Sequence, residues 1–293
     1  MKRELKPINP SILGSAKVLV SELITNFSER ESWNLAKILV EHITSDAWFR
    51  FRTDPERRFS DLEWNLWQEL SGRIRRLEPI QYVIGIAWFR ELELEVGPGV
   101  LIPRPETEEL VSWVLDSAKD QPGLEVLDIG TGSGCIAISL AVELLTPKVT
   151  AIDLSADALY FAKRNAAKSQ ALIHFIEADA AELSKLNLPP MDVIVCNPPY
   201  VLESDRAEMN TNVLKYEPEL ALFVPDQTPL LHYISVSESS RNLLVPGGRL
   251  FFEIHELYGQ AVSIMMEERG FVNIQSRMDL SGKTRMVCGT NPS

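Results

Sequence analysis

Between residues 125 and 290, short unbroken apolar runs alternate with amphipathic stretches long enough to be helices. Runs at 125–130, 148–154, 173–179, 191–197, 248–254, 273–280 and 284–290 are predicted strands; 134–145, 155–168, 228–244 and 256–270 are predicted helices. A strand apolar at nearly every position is covered on both faces, and intervening helices are what cover it. The pattern predicts an α/β fold built on a mostly parallel, seven-stranded sheet. Only Ser281, Gly282 and Lys283 separate the last two strands. That is too short for a crossover, so this pair is predicted to be antiparallel.

The N-terminal part reads differently. Ser28 with Glu31, and Ser60 with Glu63, fit capping boxes, and Asp54 followed by Pro55 fits an N-cap and first helical position. Leu62, Leu66, Leu70 and Ile74 recur every four residues, which predicts one buried helical face. Trp33, Trp48, Trp64 and Trp67 are expected to fill a helix–helix core. At 88–96 residues alternate apolar and polar before Gly97-Pro98-Gly99 ends the run, as in a strand or hairpin. The chain therefore divides into a helical bundle over 1–78, a β-hairpin connector over 79–103 and a larger α/β domain over 104–293.

The formal net charge of −12 argues against a chain whose main task is to grip phosphates. Residues 1–80 carry 13 basic and 12 acidic side chains, so the negative charge lies almost wholly beyond them. Arg50, Arg52, Arg57, Arg58, Arg73, Arg75 and Arg76 read as a solvated helix surface, with a docking patch for an acidic partner as the alternative. Cys135, Cys196 and Cys288 form no CxxC pair, so no metal site is expected. They read as buried residues in a reducing compartment. No apolar run is long enough to span a membrane, and the first ten residues lack a signal-peptide core. A cytoplasmic monomer is expected.

The first apolar strand runs through Asp128 into Gly130-Thr131-Gly132-Ser133-Gly134 and then a helix. Glycines let the backbone approach a ligand closely, and many nucleotide folds use such a turn. A dinucleotide fingerprint starting at Gly130 would need glycine at 135, where Cys135 stands. The spacing Asp128, Gly130, Gly132, Gly134 is instead typical of S-adenosyl-L-methionine sites. That cofactor carries a sulfonium and no phosphate, and the turn holds no lysine or arginine. Asp153 at the second strand end can accept ribose hydroxyls, and Asp179, with Ala180 beside it, can take the adenine amino group.

The fourth strand ends in Asn197-Pro198-Pro199-Tyr200. In doubly wound sheets chemistry occurs at the carboxyl ends of the strands. An amide or aryl amine nitrogen is planar and a poor nucleophile, because its lone pair is delocalised. Two acceptors holding its N–H groups aim that lone pair, and the Asn197 side-chain oxygen and Pro198 carbonyl can supply them. The prolines fix the backbone, and Tyr200 offers a flat face. Asn197, Pro198 and Tyr200 are thus the candidate catalytic residues, with Pro199 completing the substrate-binding turn.

Together with these motifs, Pro79-Ile80-Gln81-Tyr82-Val83-Ile84-Gly85, Ile102-Pro103-Arg104-Pro105-Glu106-Thr107-Glu108 and Glu217-Pro218-Glu219-Leu220-Ala221-Leu222 are similar to segments of one family. The chain resembles the PrmC/HemK protein-glutamine N-methyltransferases from about residue 79 onward. The resemblance implies a Rossmann-like class I methyltransferase domain, with a helical N-terminal domain that docks substrate. It implies S-adenosyl-L-methionine at Gly130 to Gly134, Asp153, Asp179, Ala180 and Asn197. The implied substrate is the glutamine of the Gly-Gly-Gln motif in class I peptide-chain release factors, bound at Asn197 to Tyr200. Phe223-Val224-Pro225-Asp226-Gln227 departs from the family's glycine-rich run, and His255 replaces its glycine after Glu253-Ile254. His255 reads as a loop residue. Arg104 and Glu106 read either as structural or as ligand contacts. The alternative substrate class is adenine N6 in DNA or RNA, but the acidic catalytic half and the lack of a long basic insert give no expectation of a nucleic-acid substrate.

Overall fold

The computed structural model describes residues 9–292, which form two compact units, 9–85 with 211–216, and 86–210 with 217–292. The first unit contains α1 (Ile12–Leu23), α2 (Glu29–Thr44), α3 (Phe49–Thr53), α4 (Asp61–Arg75) and α5 (Ile80–Ile84). Ser60 caps α4 in a complete capping box, whereas Ser28 caps α2 through its own side chain alone. Asp54 and Pro55 do not start a helix: Asp54 closes α3, with its amide bonded back to Arg50. The face of α4 that is buried is Trp67, Leu70, Ser71 and Ile74, while Leu62 and Leu66 are exposed. Steps of four residues drift around a 3.6-residue helix, so a ridge that is in the core at Ile74 lies about one third of a turn away from it at Leu62. Trp67 is buried with Phe51 and Phe59, and Trp33, Trp48 and Trp64 pack around that core. Of the seven clustered arginines, five are engaged locally: Arg50 and Arg57 with Asp46, Arg58 with the Asn9 carbonyl, Arg73 with Glu78 and Arg75 with Glu22.

The second unit opens with a hairpin, β1 (Ile86–Phe89) and β2 (Leu92–Glu95), turning at Arg90 with φ 52°. Phe89 and Leu94 of this hairpin are fully buried in the core of the second unit. There follow α6 (Pro105–Ala118), β3 (Glu125–Ile129), α7 (Cys135–Glu143), β4 (Lys148–Asp153), α8 (Ala156–Lys168), β5 (Ile173–Glu177) and β6 (Met191–Cys196). Next come the short β7 (Val201–Leu202), α9 (Thr211–Tyr216, the segment grouped with the first unit) and β8 (Phe223–Val224). The chain closes with α10 (Leu231–Leu243), β9 (Leu244–Glu253), α11 (Gly259–Glu268), β10 (Val272–Met278) and β11 (Thr284–Thr290).

The seven-stranded sheet runs β10-β11-β9-β6-β3-β4-β5. Pairs among β9, β6, β3, β4 and β5 are parallel, and β11 pairs antiparallel with both β9 and β10. Alternate residues feed two cores: Val126, Val193, Val195 and Phe251 enter one, and Leu127, Ile129, Ile194 and Phe252 the other. This is why the strands read as unbroken apolar runs. β9 begins at Leu244 rather than 248, because Val245 to Gly248 bulge out of register between the pairs Met191–Leu244 and Val193–Arg249. β5 ends at Glu177, and Asp179 lies beyond it as the cap of a 3₁₀ turn. No helix among the described residues is long and apolar enough to cross a membrane.

Candidate active site

β3 is the first strand of the sheet in sequence. The chain extends from it to β4 and β5 on one side and later to β6 and β9 on the other. The switch point lies between β3 and β6, where a crevice opens at the carboxyl ends. Ile129 pairs with Cys196, so the glycine turn and Asn197 leave the sheet side by side. A single cavity there is lined by Gly130 to Ser133, Asp153, Asp179, Ala180, Asn197, Pro198 and Pro199. Asp128 and Gly134 lie behind the turn instead of on the cavity wall, and Tyr200 is not on it either.

The turn is held almost wholly by its own amides. Gly130 and Thr131 donate to the Ile152 carbonyl, both at 2.9 Å, and Gly134 donates to the Thr131 carbonyl at 2.8 Å. The Gly132 amide donates to Asp153 Oδ2 at 2.8 Å. A carboxyl group therefore already occupies one of the turn amides that a nucleotide-binding turn would offer to a phosphate. Burial pushes the Asp153 carboxyl upward, opposed by its bonds from the Ser155 and Gly132 amides. Behind the turn, Asp128 Oδ2 accepts from the Thr131 hydroxyl at 2.6 Å and the Ala137 amide at 3.1 Å. Asp128 Oδ1 is buried without a partner, and burial raises this carboxyl to about 7. Gly134, at φ 84°, packs 3.3 Å from Ala162, measured from an ideal Cβ position. Gly130, at φ 73°, would meet nothing within 4 Å, so a side chain there would enter the cavity. Asp179 accepts from the Ala181 amide at 2.8 Å. Cys135 heads α7, and burial pushes its thiol to about 12, which makes it a packing residue.

At and behind the opposite wall, Thr107 and Glu253 are groups to which sequence reasoning gave no role. Glu253, the last residue of β9, is fully buried. Its Oε2 accepts from the Thr107 hydroxyl at 2.6 Å and its Oε1 from the Tyr200 hydroxyl at 2.9 Å. Asn197 Nδ2 donates to Thr107 Oγ1 at 3.2 Å. Burial raises the Glu253 carboxyl, opposed by the two hydroxyl bonds and the charge of Arg285. Burial, followed by the Glu253 charge, pushes the Tyr200 phenol well up, so it stays a donor. Arg104 pairs with buried Glu217 at 2.6 Å, and Glu217 also accepts from the Ile102 amide at 3.1 Å. Arg104 thus lines the cavity while its charge is tied to a neighbouring loop. Glu106 does not line the cavity. His255 packs edge-on to Tyr200, with ring centroids 6.2 Å apart. Arg206 lies 3.8 Å over the Phe223 ring, so the segment that departs from the family's glycine-rich pattern pins the loop after Tyr200. A carboxylate ending a strand was the signal for Glu253, as it was for Asp153.

Residues 108–216 match the family model of the methyltransferase small domain. A release factor glutamine methyltransferase of Bacteroides thetaiotaomicron is 46% identical over 73% of this chain and 77% of its own length. One from Flavobacterium psychrophilum is 37% identical over 92% of this chain and 95% of its own. The chain belongs to the release factor glutamine methyltransferase family. A methyltransferase structure from Pyrococcus furiosus, 16% identical, superimposes with a TM-score of 0.52 over 70% of this chain and 91% of its own, and shows the shared fold. In this release factor glutamine methyltransferase family member, the Ile102–Glu108 segment supplies both Arg104 at the cavity and Thr107 in the buried network.

Proposed function

We propose that this chain transfers a methyl group from S-adenosyl-L-methionine to the side-chain amide nitrogen of the glutamine in the Gly-Gly-Gln motif of class I peptide-chain release factors. The observation that carries this is that one cavity has both the acidic glycine-turn wall and Asn197-Pro198-Pro199. The residues present fit the cofactor: Gly130 leaves space that a Cβ would fill, and a carboxyl group already occupies one of the turn amides that a phosphate would need. When bound, S-adenosyl-L-methionine supplies a methyl group on a positively charged sulfur. Gly130, Thr131, Gly132, Ser133, Asp179, Ala180 and Asn197 are the proposed contacts, with Asp153 accepting from ribose hydroxyls. Asp128 and Gly134 serve by holding the turn.

On the other wall, the Asn197 side-chain oxygen and the Pro198 carbonyl accept the two amide N–H groups of the glutamine. Each accepted bond draws the nitrogen lone pair out of conjugation and aims it along the cavity. Pro199 keeps the turn rigid, and Tyr200, off the cavity wall, supports it through its hydroxyl bond to Glu253. No residue has to remove a proton before the methyl moves, because the methylated nitrogen is then positively charged and releases its extra proton to solvent. Catalysis is positioning with electrostatic support. Residues 1–78 are proposed to dock the release factor and 79–103 to connect the parts. The support is that the resemblance to the Flavobacterium relative runs over 92% of the chain.

The test is transfer of labelled methyl from S-adenosyl-L-methionine to a class I release factor, to its Gly-Gly-Glu form and to DNA. Label on the glutamine form alone is expected. Label on DNA adenine, or equal label on both release-factor forms, would overturn the reading.

A further inference from the structure

Asn197 can orient a substrate amide only if its own amide is oriented. Its two ends are nearly the same size and opposite in character: the oxygen accepts, the nitrogen donates. An asparagine facing the substrate with its nitrogen would repel a glutamine N–H and welcome a carboxylate. Something must choose between the two.

The buried network makes that choice. β6 and β9 are parallel, with Cys196 opposite Phe252, so the next residues, Asn197 and Glu253, leave the sheet together. Thr107, in the first turn of α6 and 2% exposed, sits between them. The Thr107 hydroxyl donates to Glu253 Oε2 at 2.6 Å and the Tyr200 hydroxyl donates to Oε1 at 2.9 Å, so the carboxyl group accepts on both oxygens. Thr107 has one hydroxyl proton and it is committed. Towards Asn197 it shows only lone pairs, and only the Nδ2 end can meet them, as observed at 3.2 Å. The Asn197 oxygen must then face away from Thr107. A fully buried carboxylate without a salt-bridge partner is costly to keep in a core, and Glu253 forms none among the described ion pairs.

We infer that Thr107 and Glu253 are positioning residues that fix which end of the Asn197 amide meets the substrate, and so select glutamine over glutamate. This rests on the amide-methylating reading above. Neither residue transfers a proton or touches the reacting nitrogen in this scheme.

T107V removes the hydroxyl at nearly constant volume and frees the Asn197 amide to turn. E253Q must donate from one end, and where that end meets Thr107 it sends the threonine proton towards Asn197 and reverses the chain. The full-length enzyme is assayed with a class I release factor, with its Gly-Gly-Glu form as competitor, and cofactor affinity is measured separately. Both variants should lose kcat on the order of 10- to 100-fold, the range expected for a misaimed reacting group. Cofactor affinity should fall by much less than kcat, because Asn197 is one of several proposed cofactor contacts and the glycine turn is untouched. The Gly-Gly-Glu form should become the better competitor relative to the glutamine form, roughly tenfold for one exchanged hydrogen bond. T107S, which keeps the hydroxyl, should stay within a few-fold of wild type on every measure. A role confined to packing would not move the glutamine-to-glutamate preference. Wild-type kcat and preference in T107V and E253Q overturn the inference, and so does an equal loss in T107S and T107V. Where T107V does not fold, T107A removes the hydroxyl without branching and is read the same way. A wild-type enzyme that fails to label the glutamine form overturns the functional reading, and this inference with it.

Discussion

The turns after β3 and after β6 leave neighbouring strands at the same end of the sheet but are held by different means. The turn after β3 is fixed by backbone: three of its amides bond to carbonyls and a fourth to Asp153. The turn after β6 is fixed by side chains: its own Asn197 and Tyr200 are joined through Thr107 of α6 and Glu253 of β9. A backbone-held turn is insensitive to most substitutions except at its glycines. A side-chain network can be broken at any member, because each hydrogen bond dictates the direction of the next. The first wall should therefore fail in folding or binding, and the second in the rate of methyl transfer.

The largest effect is expected on the second wall. Asn197→Ala removes one of two proposed acceptors for the substrate amide and should lower kcat on the order of 100–1,000-fold. Stability should change little, since Asn197 is only partly buried. Steady-state transfer to a release factor, together with thermal unfolding, checks this. A variant that melts early with intact kcat would show that the network is structural.

Glycines sharpen the contrast within the first wall. Gly134→Ala forces a side chain to φ 84° and brings its Cβ to 3.3 Å from the Ala162 Cα and Cβ. Backbone strain and this contact should cost about 2–3 kcal/mol of stability. Gly130→Ala, at φ 73° with no atom within 4 Å, carries the strain alone. It should cost about 1 kcal/mol of stability but lose more cofactor affinity, because its methyl enters the cavity. Chemical denaturation and calorimetry with S-adenosyl-L-methionine measure the two losses. The same ranking in both measurements would erase the distinction.

A pH effect separates the turn from its support. The Asp128 carboxyl is raised to about 7 by burial, from an ordinary value of 3.8. Between those values the folded state keeps the proton and the unfolded state has released it. The contribution is therefore full at low pH, falls as pH rises, and is gone once pH passes the folded value. The slope is at most about 1.4 kcal/mol per pH unit for one group. Asp128→Asn mimics the protonated carboxyl and should flatten the profile from about pH 4 to 7 relative to wild type. Denaturation midpoints across that range decide it, and parallel wild-type and variant profiles would mean that Asp128 is ionised in the fold.

Much of this was legible before the structure. The parallel sheet and its antiparallel tail follow from apolar runs and one short connection, which are local signals. The glycine turn and Asn197 to Tyr200 were legible because each is contiguous. Thr107 and Glu253 were not: they lie 146 residues apart, and neither means anything until β9 is set beside β6. Asp128 and Gly134 fit the cofactor spacing yet stand behind the wall, because spacing along a chain does not say which residues of a turn face outward. Leu62 and Leu66 mislead for a geometric reason, since a four-residue repeat leaves a helical face within three steps.

The smallest effect tests whether the two walls act independently. Asp153 Oδ2 accepts from the Gly132 amide at 2.8 Å and Oδ1 from the Ser155 amide at 2.9 Å. Asp153→Asn keeps one acceptor and turns an N–H₂ group against the other amide, so one of these bonds is lost while the side chain keeps its volume. Cofactor affinity should weaken by about 1 kcal/mol, roughly fivefold, the net value of a single hydrogen bond. Where the lost bond is the one from Gly132, that amide is unpaired and no longer faces a carboxylate charge, so weak affinity for a nucleotide diphosphate should appear where wild type has none. At saturating S-adenosyl-L-methionine kcat should match wild type, because the Asn197 amide is set from Thr107 and Glu253 and not from the glycine turn. Calorimetry gives the first two numbers and steady-state kinetics the third. A fall in kcat that saturating cofactor does not restore would mean that the backbone-held wall also aims the chemistry.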